Sequence, residues 1–195
     1  MITRAAITAL RAVVVTLVVT GIAYPLVILG AAQMLVPSRA DGSLVIDREV
    51  VVGSELIAQE TRHPAYFHPR PSAVGWDGQR SGASNLGPTS AALRDAVMAE
   101  ARTQRALNPH GPGPVPAELA TASASGLDPH LSRAAALWQV PRVAAARRVS
   151  EDRVHAIVMA MVEEPQFGIF GAERVNVLLL NLALDRQLGA PGHRR

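Results

Sequence analysis

The chain has 195 residues, enough for one globular domain plus an extra segment, and all 19 of its basic residues are arginine. Without lysine there is no G-x-x-x-x-G-K-S/T phosphate loop, no Schiff-base enzyme and no lysine-dependent ATP-hydrolysing machinery; without cysteine there is no disulfide framework, thiolate zinc site or thiol nucleophile. A net charge of +3 is too small to point to nucleic acid.

After a short flank, residues 1–11, residues 12–36 carry no charged side chain and are bounded by Arg11 and Arg39. At roughly 1.5 Å per residue such a helix exceeds the ~30 Å hydrocarbon core, so one transmembrane helix is expected here. Thr16 and Thr20 lie one turn apart and can bond back to their own helix. Gly21 stands four residues before Pro25, whose ring collides with the carbonyl at that distance, so a kink is expected between them. Thr16, Thr20 and Gly21 also form a small-residue face on which a partner helix could pack. Gly30-Ala31-Ala32 looks like a signal-peptidase site. The apolar run nevertheless outlasts a typical signal core of roughly 7–15 residues, and the span is expected to be retained. Arg4, Arg11 and the amino terminus face Arg39 and Arg48 across it. That balance leans towards a cytoplasmic N-terminus and an extracytoplasmic domain.

Residues 37–189 form the expected soluble domain, with a frayed tail at 190–195. Leu44-Val45-Ile46, Val50-Val51-Val52 and Ala65-Tyr66-Phe67 read as short strands. His63-Pro64 and His68-Pro69-Arg70-Pro71 then deny the chain a helix. Residues 81–88 are a loop by composition, followed by a helix over 89–107 that ends at Asn108-Pro109. Four prolines and two glycines in 108–116 read as a hinge or extended connector. Ser132 is placed to cap a helix that Pro141 would interrupt or restart, and Ser150 to cap the next, with Val154, Ile157, Val158 and Met161 as its apolar stripe and Pro165 as its end. Residues 176–188 are apolar on nearly every side except Asn181 and Asp185, and should form the most buried helix of the domain. Gly189 stops it. The fold class is therefore α+β, with short strands and several helices tethered by one N-terminal transmembrane helix.

The chemistry-bearing residues are sparse. His63, His68, His110, His130, His155 and His193 show no H-x-x-x-H or H-E-x-x-H spacing, so no metal site is expected. Asp128-Pro129-His130 with Ser123 or Ser125 permits a hydrolase reading, but no G-x-S-x-G elbow accompanies it and Asp-Pro before a capped helix is ordinary turn chemistry. Ser81-Gly82-Ala83-Ser84-Asn85 could expose backbone donors to a phosphate or a carbonyl. It is faintly similar to the L-S-G-G-Q signature of ABC ATPases, departing at Arg80, Ala83 and Ser84. Arg142, Arg147, Arg148 and Arg153 read as a solvated helix face in preference to an anion-binding patch.

Taken in order, G-S-E-L-I-A-Q at 53–59, Y-F-H-P-R-P-S-A at 66–73, S-G-A-S-N-L-G-P-T at 81–89, T-A-S-A-S-G-L-D-P-H-L-S at 121–132, Q-V-P-R-V-A at 139–144 and R-V-N-V-L from 174 resemble the C subunit of the Kdp potassium-transporting ATPase, a bacterial membrane complex. Departures from that family's pattern are mild: Ala58, Ala83, Ala124 and Arg148 stand where glycine is usual, and Ser90 where asparagine is. The resemblance implies a non-catalytic subunit in the inner membrane, with no cofactor of its own, whose partners are a channel-like potassium-translocating subunit, a P-type ATPase subunit and membrane lipid. Such a subunit stabilises the assembly and supports potassium import. The resemblance also carries an alternative, a catalytic chaperone that raises the ATP affinity of the ATPase subunit. Nucleotide binding would then fall on Ser81, Gly82, Ser84 and Asn85. A third reading from another class is a membrane-anchored extracytoplasmic hydrolase using Asp128, His130 and a serine.

Overall fold

The computed structural model describes residues 2–191, with most of the expected 190–195 tail outside them, and the chain divides into two compact units between Val52 and Gly53. In the first unit, α1 (Ile2–Val18), a π-helical segment (Val19–Ala23) and α2 (Tyr24–Leu35) run on as one continuous helix. Its stretch Thr3–Leu35 is apolar, unburied and long enough to cross a membrane. The conflict foreseen between Gly21 and Pro25 takes the form of the π segment: the Tyr24 amide reaches back to the Val19 carbonyl, five residues away. This widened turn opens room ahead of the proline ring. Thr20 Oγ1 donates to the Thr16 carbonyl at 2.7 Å. After α3 (Pro37–Ala40) come the paired strands β1 (Leu44–Asp47) and β2 (Val50–Ser54). Arg48 and Glu49 between them both adopt positive φ, as a tight two-residue hairpin turn requires.

The second unit is built around α6 (Arg133–Arg147), α7 (Glu151–Ala160) and α8 (Val177–Leu188), with a small antiparallel sheet of β3 (His130–Leu131), β5 (Arg174–Asn176) and β4 (Val162–Glu163) in the order β3-β5-β4. Leu131, Val143, Val154, Val158, Val175, Leu180 and Leu184 are fully buried in the shared core. Two further helices, α4 (Ala91–Leu107) and α5 (Ala117–Ala120), lie earlier in the chain. The expected cap forms at Ser132, whose hydroxyl accepts the Ala135 amide at 3.2 Å, and two caps not named from the sequence form at Ser90 on Leu93 and at Asn176 on Leu179. Ser150 holds the cap position of α7 without a side-chain cap bond, while Glu151 and Asp152 lie in the first turn.

Three expectations are corrected here and a fourth is narrowed. Pro141 neither interrupts nor restarts α6, which runs through it. A proline inside a helix costs about 3 kcal/mol, whereas burying each of Trp138, Val140 and Val143 returns about 1.5–3 kcal/mol. For the same reason α6, with eight buried residues against four on α8, is the more buried helix. Next, α7 stops at Ala160, before Pro165, because Val162 and Glu163 leave to pair with Val175 and Arg174. Last, of the two readings of 108–116, hinge or extended connector, the contacts favour the connector: buried Asn108 donates to the Trp138 carbonyl, and Arg105, stacked 5.3 Å from the Trp138 ring, donates to the carbonyls of Gly111 and Gly113.

A larger correction concerns residues 63–70. Ala65-Tyr66-Phe67 is not a strand; it belongs to a turn and an extended strap whose backbone is satisfied by side chains of α6 and α8. Asn181 accepts from the Phe67 amide at 2.8 Å and donates to the Phe67 carbonyl at 2.9 Å. Gln139 does the same for His68, at 2.9 and 3.1 Å. Each primary amide thus supplies the donor and acceptor that a neighbouring strand would have supplied. Arg142 donates to the carbonyls of Pro64 and Tyr66 at 2.7 and 2.9 Å, and Arg147 to that of Ala65 at 2.7 Å. The expected solvated arginine face is therefore split. Arg142 is 8% exposed and the Arg147 side chain 3%, while Arg148 and Arg153 remain on the surface. Guanidinium groups satisfy several carbonyls at once, which makes their burial tolerable.

Candidate functional site

Three of the distinctive segments meet at one place in the second unit. The Arg70 guanidinium lies 3.1 Å from the Asp128 carboxylate. Ser72 Oγ donates to the Gly126 carbonyl at 2.6 Å and accepts the amides of Val74 and Trp76. The Ser123 amide donates to the Pro71 carbonyl at 3.1 Å, and the Gly82 amide to the Ser125 carbonyl at 2.8 Å. Gly126 has φ +70°, and a Cβ there would stand 2.5 Å from Val74 Cγ2 and 2.9 Å from the Gly82 carbonyl oxygen. Both the backbone twist and the close approach demand glycine at this point.

Within this clasp, Ser81 is exposed and directs its hydroxyl to the Ser125 carbonyl at 3.3 Å, while Ser84 and Asn85 are exposed and Asn85 takes a positive φ of 53°. The Gly82 amide is already taken, and Arg80, the cation that precedes the loop in sequence, is held by Asp77 at 2.7 Å. Asp77's carboxyl is held below its ordinary range by the Gln79 amide and then by the Arg80 guanidinium. The helix N-terminus that follows begins at Ala91, where the Leu93 amide is bound to Ser90 Oγ.

The hydrolase grouping divides differently. Asp128 Oδ1 accepts the His130 amide at 3.0 Å, closing an Asx turn, and its other oxygen faces Arg70; His130 Nδ1 stands 3.8 Å from Asp128. Ser125 Oγ accepts the Leu127 amide at 3.1 Å. The carboxylate is thus occupied by turn formation and ion pairing instead of orienting an imidazole towards a serine. Among the described residues no group of three or more histidines and carboxylates could hold a metal ion, and His193 lies outside them.

Sequence reasoning missed a cleft of about 380 Å³ beside the strap, lined in part by Gln59, Glu60, Tyr66, Asn181 and Asp185. The Tyr66 hydroxyl donates to Asp185 at 2.7 Å; burial first, and then the carboxylate, push it up to about 12. Arg147 contacts the same carboxylate at 2.7 Å and lies 5.0 Å from the Tyr66 ring. The i, i+4 pair Asn181 and Asp185 was the visible signal, since two polar residues on an apolar helix need partners.

The family model described as K+-transporting ATPase, c chain, matches residues 6–186. The chain belongs to the KdpC family. Its similarity to a potassium-transporting ATPase KdpC subunit of Myxococcus xanthus is 56% identity over 194 residues, covering 95% of this chain and 92% of that protein. A subunit of the same name from Rhodospirillum rubrum is 52% identical over 86% of this chain and 88% of its own length, and one from Nitratidesulfovibrio vulgaris 50% identical over 92% and 94%. The KdpC match takes in the apolar helix, the strap, the clasp and most of α8.

Proposed function

We propose that this KdpC-family chain is a non-catalytic subunit of an ATP-driven potassium-uptake complex, stabilising its assembly with a channel-like potassium-translocating subunit and a P-type ATPase subunit. The observation that carries this reading is the clasp, in which Arg70 pairs with Asp128, Ser72 with Gly126, Gly82 with Ser125 and Ser123 with Pro71. Groups committed in this way build a rigid surface better than they turn over a substrate. The names of the relatives, each a potassium-transporting ATPase subunit, supply the complex. The unburied apolar helix supplies a membrane anchor in the inner membrane. Arg4, Arg11 and the amino terminus favour a cytoplasmic start, which puts residues 53–191 outside.

Sidedness tests the reading. A Ser84→Cys chain in the assembled complex is exposed to a membrane-impermeant thiol reagent in cells whose outer membrane, where one exists, has been made permeable. Labelling from outside is expected. Labelling only after lysis, with a loss of ATP affinity in a Ser81→Ala complex, would transfer the loop to nucleotide binding and overturn the extracytoplasmic assignment.

A further inference from the structure

The turn joining β4 to β5 presents Phe167, Ile169 and Phe170 at 90%, 78% and 65% exposure, three large apolar side chains within four consecutive residues. Nothing in the hydrophobic core uses them. The turn is nevertheless tightly built. Gln166 and Phe170 exchange both backbone hydrogen bonds at 2.9 Å, and the Gly168 amide donates to the Pro165 carbonyl at 2.9 Å. Its base is tied by Arg174 to Glu163 at 2.9 Å and by Arg133 to Glu173 at 3.2 Å. Phe167 itself has φ +55°, a conformation that bulky side chains avoid. An aromatic residue held there, out in solvent, points to a use outside the domain.

We propose that this turn is a preformed apolar plug that seats in a protein pocket on another subunit of the transport complex, a pocket with an apolar floor and a neutral or cationic rim. The proposal rests on the assembly role argued above. Buried aromatic anchors on a rigid support are what concentrate binding energy at interfaces, because little freedom is lost on docking. Charge selects protein over bilayer. The only charged residues from 163 to 173 are Glu163, Glu164 and Glu173; two are matched by arginines and Glu164 is exposed. Segments that settle on anionic lipid carry cations at their rim, and this one carries none on the turn itself.

In the purified whole complex, Phe167→p-benzoylphenylalanine is irradiated and its adduct identified by mass spectrometry; a covalent product with a different subunit is expected. The full chain carrying Phe167→Ser, Ile169→Ser and Phe170→Ser together should keep its own thermal midpoint, since these side chains are exposed, yet leave the complex on dilution about tenfold more readily. Phe167→Gly, which removes one anchor while relieving the backbone, should weaken retention in the same direction. An adduct with lipid alone, with a second copy of this chain or with nothing, or wild-type retention of the triple variant, would overturn the plug. Omitting the chain altogether tests the assembly role separately: if the other subunits stay together and pump normally without it, that role fails whatever the adduct shows.

Discussion

Arg142 and His68 show how much a single buried contact controls here. The Arg142 guanidinium serves the carbonyls of Pro64 and Tyr66 and the Gln139 amide oxygen, and burial lowers it to about 10, still charged at neutral pH. His68 Nε2 lies 3.4 Å from that guanidinium. Burial, and after it the Arg142 charge, bring the imidazole down to about 4 from its ordinary 6.5. Unfolded chains take up this proton on falling below pH 6.5 while the folded domain refuses it until about pH 4, so stability is full above 6.5 and declines across that window. The full chain should lose about 1–2 kcal/mol between pH 7 and 5 from this residue. Urea midpoints at the two pH values, compared with those of His68→Phe, check it: the variant's pH slope should be shallower, and an unchanged slope would remove His68 as the cause. Arg148 illustrates a residue decided by backbone. It closes α6 in the left-handed region at φ 56°, with Val149's amide on the Ala144 carbonyl, the position where helices favour glycine.

Among the elements, the strap and the clasp behave alike, since neither has regular secondary structure and both are held by bonds to distant parts of the chain. The clasp turns on Gly126. In Gly126→Ala the new Cβ would collide with Val74 and the Gly82 carbonyl in a backbone conformation that alanine resists. A loss of about 2 kcal/mol or more is expected, a fall of roughly 4–8 °C in the thermal midpoint for a domain of this size. Val74→Ala in the same chain should recover only the part due to Val74, because the Gly82 carbonyl is backbone and cannot retreat as a side chain can. Full recovery in the double variant would refute the close backbone approach as the cause. The clasp's participants were legible in the sequence as loop-forming segments, but their meeting was not: Ser81 and Ser125 are 44 residues apart. Local pattern carries turn chemistry and capping, and says nothing of which turn touches which.

For the molecule as a whole, the apolar helix decides whether this is a tethered or a released domain. Retention of the helix predicts a mature chain whose mass includes residues 1–32; intact-mass measurement on protein taken from membranes checks this, and a product beginning at Gln33 would end the anchor reading.

The sequence by itself determined the apolar span, the conflict at Pro25, the end of α4 and the cap of α6, because each depends on residues within a few positions of one another. It also excluded lysine and cysteine chemistry outright. Only the tertiary structure decided that Gln139 and Asn181 stand in for strands beside residues 71 and 114 positions away, that two of four arginines are interior, and that α6 continues through Pro141. Burial is a property of what packs against a side chain. A polar group on a helix therefore reads as surface until a distant backbone arrives to take its hydrogen bonds.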